Sequence, residues 1–400
     1  MVAELRRMSG VRHLLISLLL VCLAALAACA TTGGTTSGGA SPTALAATPT
    51  ATGRAASPTT GSSLPTAAPT TASGPSLAQL TVYVGSGGGN FFGVNAQTGA
   101  QRWKTAVSGE SNKPFTSNGI VYDATQSGYV AAINAGQVLW QKQADSSGGG
   151  VTGRPELLNG LVYGATDSGV IFALDATTGA QRWRYPTGGA ITGSVNVQSD
   201  GTLYAGSSDG YLYALTASNG SLRWRYQAVA IEFTSPTVSN GVVYTGADDG
   251  NLYAINTSNG ALRWKFRSGG QIFGKPAVDN GVVYFGSNDH YLYAVSVSTG
   301  HQVWRFQAGD SVTGSPVTGA GVVYVAASDS TLYALHESNG AKVWSFQRSG
   351  GFDRAWPVLT QGLLYIGAND GNLYALNAAT GAKVWSFAAG DPLSSPTVGL

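Results

Sequence analysis

Cysteine is nearly absent from this 400-residue sequence, which contains two. Cys22 lies within an apolar run near the N-terminus, and Cys29 directly follows that run. No cysteine occurs beyond Cys29, so the rest of the chain has neither a disulfide framework nor a cysteine-ligated metal site.

Charged residues and histidines are also scarce. Charged residues make up 10% of the chain, with 22 Lys and Arg against 20 Asp and Glu. A nucleic-acid-binding domain carries an excess of basic residues, so the balance argues against a nucleic-acid partner. Beyond the N-terminal region the histidines are His290, His301 and His336, which are far apart in sequence and have no adjacent nucleophile or second ligand. We therefore predict no histidine-based catalytic or metal site.

Aromatic residues recur at regular positions. An apolar residue followed by tyrosine begins each repeat, and a tryptophan follows 18 or 20 residues later. The steps between successive tryptophans are 37, 43, 41, 40, 40, 40 and 41 residues, so one unit of about 40 residues occurs eight times. The tryptophans are Trp103, Trp140, Trp183, Trp224, Trp264, Trp304, Trp344 and Trp385.

Each unit has the pattern of four short strands. In residues 235–267 the segments SPTV, VVYTG, NLYAI and LRWKF are separated by turns rich in Asn-Gly and Asp-Gly. These dipeptides accept the positive φ that tight hairpin turns require. Four strands in about 40 residues, with no helical pattern between them, predict an all-β, eight-bladed β-propeller of four-stranded blades. We expect Leu262, Trp264 and Phe266 to share one strand face and pack between blades.

The two ends of the repeat region complement each other. The repeats begin at LTVYVG (80–85), which reads as a second strand, and stop at SSPTVGL (394–400), which reads as a first strand. Pairing these two segments would close the ring and leave no open edge at the join. We therefore predict that residues 80–400 form one propeller closed by the C-terminal strand.

The first 79 residues differ in composition from the repeats. Basic residues precede the apolar run LLISLLLVCLAAL, as in a signal peptide, predicted over residues 1–28. The run ends in LAAC, which resembles the bacterial lipobox and implies lipidation of Cys29; the alternative is ordinary secretory cleavage that leaves a free thiol. Residues 29–79 are mostly Thr, Ser, Gly, Ala and Pro, a composition that predicts a disordered tether.

First strands are innermost in a propeller, so the residue at the start of each should lie near the central channel. The aligned positions are Lys113, Arg154, Ser194, Ser235, Lys275, Ser315, Trp356 and Ser395. Serine suits a crowded axis, whereas the three long cations need water, a carboxylate or a bound anion. They either solvate the channel mouth and pair with nearby Glu110, Glu156 or Asp353, or bind an acidic segment of a partner protein with Trp356 as aromatic anchor.

The segment DGNLYALNAATGAKVW (370–385) and its counterparts resemble the quinoprotein-type repeat, also called the PQQ-like repeat, over residues 80–400. Some members with this repeat are dehydrogenases that bind pyrroloquinoline quinone and calcium, with adjacent cysteines and ligands on insertions. Others are noncatalytic lipoproteins of the outer-membrane β-barrel assembly machinery. The lipobox, tether and compact loops resemble the second kind.

The resemblance implies a noncatalytic, lipid-anchored scaffold at the bacterial cell envelope, facing the extracytoplasmic side. We expect a monomer that has a protein partner, contacts the membrane through its lipid alone, and needs no cofactor. Two alternatives remain open: a carbohydrate- or ligand-binding surface module, and a PQQ-dependent dehydrogenase.

Overall fold

The computed structural model describes residues 74–228, 234–348, 350–352 and 355–400. The predicted signal peptide, Cys29 and most of the predicted tether lie outside these residues. Within the described ranges, no helix is long and apolar enough to span a bilayer.

The described chain forms 32 β-strands. The first sixteen are β1 (Thr81–Gly85), β2 (Asn90–Asn95), β3 (Gln101–Ala106), β4 (Phe115–Ser117), β5 (Ile120–Ala124), β6 (Tyr129–Asn134), β7 (Gln137–Gln143), β8 (Glu156–Leu158), β9 (Leu161–Ala165), β10 (Val170–Asp175), β11 (Gln181–Pro186), β12 (Asn196–Val197), β13 (Thr202–Gly206), β14 (Tyr211–Thr216), β15 (Leu222–Gln227) and β16 (Thr237–Ser239). The others are β17 (Val242–Gly246), β18 (Asn251–Asn256), β19 (Leu262–Arg267), β20 (Ala277–Asp279), β21 (Val282–Gly286), β22 (Tyr291–Ser296), β23 (Gln302–Gln307), β24 (Val317–Gly319), β25 (Val322–Ala327), β26 (Thr331–His336), β27 (Lys342–Gln347), β28 (Val358–Thr360), β29 (Leu363–Gly367), β30 (Asn372–Asn377), β31 (Lys383–Ala388) and β32 (Thr397–Gly399).

These strands form eight antiparallel sheets of four strands each. Seven sheets use four consecutive strands, from β4–β7 through β28–β31, and the remaining sheet has the order β3-β2-β1-β32. First strands of neighbouring sheets contact one another, which places them on the inside of a ring. The eight-bladed β-propeller predicted from the repeats is confirmed.

Ring closure follows the predicted scheme. β32 pairs with β1, with Val82 opposite Val398 and Tyr83 opposite Thr397. The Tyr83 hydroxyl donates to the carbonyl of Leu400 at 2.6 Å. The C-terminal strand therefore completes the first blade, and β1 has no open edge.

Tryptophan joins each outer strand to the next blade. The Trp264 indole N–H donates to the Val297 carbonyl at 2.9 Å, and the ring packs against Gly300. A Cβ on Gly300 would lie 2.8 Å from that ring, and its φ is +71°, so this turn needs glycine on both counts.

The prediction that Leu262 packs with Trp264 is wrong. The Leu262 side chain is 41% exposed. The register of β18 and β19 shifts between Ala254 and Ile255, because Arg263 is an extra residue in a β-bulge. The bulge interrupts the alternation on which the prediction depended, and the sequence repeat gives no direct sign of it.

The aspartates that recur in the turn between the second and third strands of several blades have a structural role. Asp289 Oδ2 accepts hydrogen bonds from the Tyr293 hydroxyl at 2.6 Å and from the Gly269 N–H at 2.6 Å. Gly269 lies in the loop that leads from the preceding blade, so the carboxylate fastens that loop to its turn. Asp209 makes the same pair of bonds with Tyr213 and Gly188. These hydrogen bonds account for the aspartates as structural groups of the turns.

Candidate binding site in the axial channel

Serines at the start of the first strands link neighbouring blades. Each accepts a hydrogen bond, through its Oγ, from the backbone N–H of the equivalent residue in the preceding blade. The bonds run from Arg154 to Ser194 (2.7 Å), Ser194 to Ser235 (2.8 Å), Lys275 to Ser315 (2.8 Å) and Trp356 to Ser395 (3.1 Å). These serines therefore do more than fit a crowded axis, which was the sequence-based interpretation.

The backbones of adjacent blades are also close beside these serines. A Cβ on Gly274 would lie 2.6 Å from the Gly314 carbonyl oxygen of the next blade. A side chain at Gly274 would therefore clash with the next blade unless one of the two backbones shifted.

The structure brings the four sequence-predicted residues together. Lys113 Nζ lies 4.2 Å from the centroid of the Trp356 ring, and Lys275 Nζ lies 5.9 Å from it. The Arg154 guanidinium carbon lies 5.0 Å from the centroid of the Phe115 ring. All four predicted side chains are half-buried. Phe115, which sequence reasoning missed, stands two residues after Lys113 on β4.

Two cavities lie along this part of the ring. The first, which we call the outer cavity, has a volume of 360 Å³ and is lined by inter-blade loops that include Glu110, Ser111 and Lys113. The second, the inner cavity, has a volume of 270 Å³ and is lined by first-strand residues that include Arg154, Lys275 and Trp356. The contact of Lys113 with Trp356 therefore lies between the two cavities.

Burial destabilises the charged forms of the inner-cavity cations. Desolvation has the largest effect and lowers the pKa of Lys275. The negative charge of Glu156 raises this pKa, and the positive charge of Arg154 lowers it by a smaller amount. Desolvation likewise lowers the pKa of Arg154, again against Glu156. Within the described ranges, no carboxylate lies at ion-pair distance from either cation, and the buried Nε of Arg154 has no hydrogen-bond partner. Among the described residues, Glu156 therefore offsets only part of the positive charge of this cavity.

Of the three carboxylates named as possible partners, Glu110 and Glu156 lie among the described residues. Glu156 is near enough to affect Arg154 and Lys275, but its Oε2 accepts a hydrogen bond from the Val197 N–H at 3.3 Å. Glu110 lines the outer cavity together with Lys113. Asp353 lies outside the described residues.

A buried carboxylate beside the outer cavity escaped the sequence analysis. Asp123 on β5 is completely buried, and its Oδ1 accepts a hydrogen bond of 2.7 Å from the Ser111 hydroxyl. Its Oδ2 has no hydrogen-bond partner. Desolvation raises the pKa of Asp123 to about 7, although hydrogen bonds from Ser111 and the Ala124 backbone oppose the rise. The aligned positions in other units are uncharged, as at Thr245, and this contrast was the available sequence signal.

The chemistry of the channel suits anions. Lysine and arginine beside an aromatic ring can bind carboxylate or phosphate groups through charge-assisted hydrogen bonds. Calcium takes 6–8 oxygen ligands, and the charged side chains that line the inner cavity, Arg154 and Lys275, are cations, which do not suit this ion or a calcium-bound quinone. Among the residues that the structure describes, no group of three His, Cys, Asp or Glu side chains is placed to hold a metal.

Eight four-stranded blades around a cationic axial channel define a PQQ-like β-propeller with a candidate anion-binding centre. The model of the family described as "Outer membrane protein assembly factor BamB" matches residues 50–190, 167–272, 231–314 and 268–392. The chain belongs to this family. No sequence among the curated proteins matches it significantly.

Solved structures with the same fold include BamB from Moraxella catarrhalis, with a TM-score of 0.63 and 22% identity over 71% of this chain and 89% of that one. The computationally designed Ika8 protein has a TM-score of 0.65 and 17% identity, over 74% of this chain and 92% of that one. The quinohemoprotein alcohol dehydrogenase ADHIIG from Pseudomonas putida HK5 has a TM-score of 0.61 and 16% identity, over 74% and 68%. At these identities the likeness establishes the fold.

Proposed function

We propose that this protein is a noncatalytic, lipid-anchored scaffold of the bacterial cell envelope that binds an acidic segment of a partner protein at its axial channel. The observation that carries the proposal is the convergence of Lys113, Arg154 and Lys275 with Trp356 at positions where other blades have serine.

The energetic argument begins with desolvation. Half-buried cations are costly unless an anion compensates them, and the described protein groups offer Glu156 alone near the inner cavity. A partner carboxylate would supply the missing negative charge. Trp356 would add apolar contact area, and tryptophan and arginine are among the residues that most often dominate binding energy. Opposite charges on the two surfaces would also favour fast association.

Family membership supports a location in the bacterial cell envelope. The family description concerns assembly of outer-membrane proteins, and we infer a corresponding role in the envelope for this chain. Lipidation of Cys29 and a tether over residues 29–79 would hold the propeller near the membrane while leaving the channel accessible. Residues 74–79 already contact the ring, since the Gln361 side chain donates to the Pro75 carbonyl at 2.6 Å.

We favour a scaffold over the dehydrogenase alternative because the donor set of the channel does not suit a calcium-bound quinone. We favour it over a carbohydrate-binding module because the cluster has strong positive charge, which a neutral sugar does not compensate. An oxidation assay with added quinone and calcium, and a glycan-binding screen, would test these two alternatives directly.

The test replaces Lys113, Arg154 and Lys275 together with serine, the residue that other blades have at this position. We expect at least a tenfold loss in capture of the envelope partner at low salt, and a much weaker dependence on salt. The matched control replaces Arg182, Arg225 and Arg263 with serine, because it removes the same charge from the outer strands. Equal loss in both variants, or no loss in the channel variant, would remove the channel from the proposal.

A further inference from the structure

The inner cavity has the features of a site for a small anion rather than only an open surface for a protein. Arg154 and Lys275 both line it, and both have pKa values lowered by desolvation. Arg154 Nε is buried without a hydrogen-bond partner, although a guanidinium offers five N–H donors. The described structure therefore places two cationic side chains on the lining of one cavity and leaves a buried N–H donor of one of them without a partner.

The size of the cavity limits the occupant. Its volume of 270 Å³ lies below the range of roughly 300–1,000 Å³ that is usual for pockets holding drug-sized ligands. A single carboxylate or phosphate group with a few attached atoms fits this scale. Trp356 lines this cavity, and Lys113 Nζ lies 4.2 Å from the centroid of its ring.

The nearby charges favour a monoanion. Arg154 and Lys275 are each positive and repel one another, and Glu156 offsets part of this charge. Glu156 is also engaged by the Val197 N–H, so it is fixed at the side of the cluster. Among the described residues, Arg154, Lys275 and Glu156 sum to one positive charge, which one further negative charge would balance.

We propose that the inner cavity binds one oxyanion group, a carboxylate or a phosphate, between Arg154 and Lys275 and beside the Trp356 ring. The inference deepens the proposed docking function, and it rests on that function for the source of the group, namely an acidic side chain of the partner. A free oxyanion has the same chemistry, so the experiment separates the two sources.

The experiment is a calorimetric titration of the folded propeller at constant ionic strength. The free probes are sodium phosphate and sodium acetate, with glucose as the neutral control. The peptide probes are a short Glu-containing peptide and its Gln counterpart, both with blocked termini. We expect the wild type to bind phosphate or acetate with a 1:1 stoichiometry, and to bind the Glu peptide at least tenfold more tightly than the Gln peptide.

Two variants locate the site. Lys275→Ser reproduces the residue found at Ser235 and Ser315, and Lys275→Gln keeps the length of the side chain, so at least one should retain the wild-type melting temperature. Both should weaken binding of every anionic probe at least tenfold. The control Lys265→Gln, on the exposed edge of β19, should leave binding unchanged.

The outcomes distinguish this inference from the docking proposal. Free anions that bind in a Lys275-dependent manner, without any effect of the cluster on partner capture, would support the anion site and contradict docking. Partner capture that depends on the cluster, with no Lys275-dependent binding of phosphate, acetate or the Glu peptide, would overturn the anion site. Preference for free phosphate over the Glu peptide would identify a free oxyanion as the ligand.

Discussion

Replacement of Asp123 by asparagine should stabilise the propeller at alkaline pH. Asp123 is completely buried, one of its oxygens has no hydrogen-bond partner, and desolvation raises its pKa from 3.8 to about 7. The folded protein therefore holds this proton more tightly than the unfolded chain does. Stability from this group is fully present below pH 3.8 and is lost as the pH rises from there through about 7.

The magnitude follows from the two pKa values. The interval between 3.8 and about 7, at about 1.36 kcal/mol per pH unit, corresponds to roughly 4 kcal/mol of lost stability above pH 8. Asparagine has nearly the same shape and stays neutral, so Asp123→Asn should recover most of this free energy at pH 8. At pH 4 the two proteins should have nearly equal stability, because Asp123 is then protonated in the folded state.

Urea unfolding at pH 4, 6 and 8 measures the effect, with the midpoint converted to a free energy of unfolding. Asp123→Thr serves as a second variant, since Thr245 is buried at the aligned position of another blade. A difference between variant and wild type that does not change with pH would refute the assignment of a buried, titrating carboxylate. Destabilisation by both variants at pH 8 would refute it equally.

Three further predictions concern the anchor, the closure and the turns. Cys29→Ser should release the protein from membranes into the soluble fraction and remove the lipid from its mass; unchanged fractionation would contradict lipidation. Deletion of residues 393–400 should lower the free energy of unfolding by at least about 3 kcal/mol, because it removes β32 and exposes the edge of the first blade; an unchanged melting temperature would contradict the closure. Asp289→Ala should cost about 1–3 kcal/mol by leaving the Tyr293 hydroxyl without its acceptor, while Asp310→Ala, at a half-exposed side chain, should cost much less.

The fold was predictable because the same turn and strand patterns occur in each of the eight units. Turn dipeptides, alternating strands and the Tyr and Trp spacing all agree, and the incomplete units at the two ends indicate how the ring closes. The second unit has a shorter turn between β6 and β7, in which Ala135 and Gly136 both have positive φ.

The details that the sequence could not supply depend on geometry between strands or between blades. Arg263 forms a bulge that exposes Leu262, and one unit of sequence does not reveal a bulge. The hydrogen bond from Lys275 N–H to Ser315 joins residues that are 40 positions apart. The four candidate residues of the channel were identifiable because they depart from serine at an aligned position, whereas the contact of Arg154 with Phe115 was visible only in three dimensions.

The most direct test of the docking account is site-specific crosslinking in the intact envelope. A photoreactive phenylalanine analogue would replace Trp356 in the channel and, in a second strain, Leu262 on the outer strand as the exposed control. The account predicts that position 356 crosslinks to a segment rich in Asp and Glu of an envelope protein, and that added salt weakens this crosslink. Crosslinks from position 262 alone, or crosslinks from position 356 to segments without acidic residues, would contradict it.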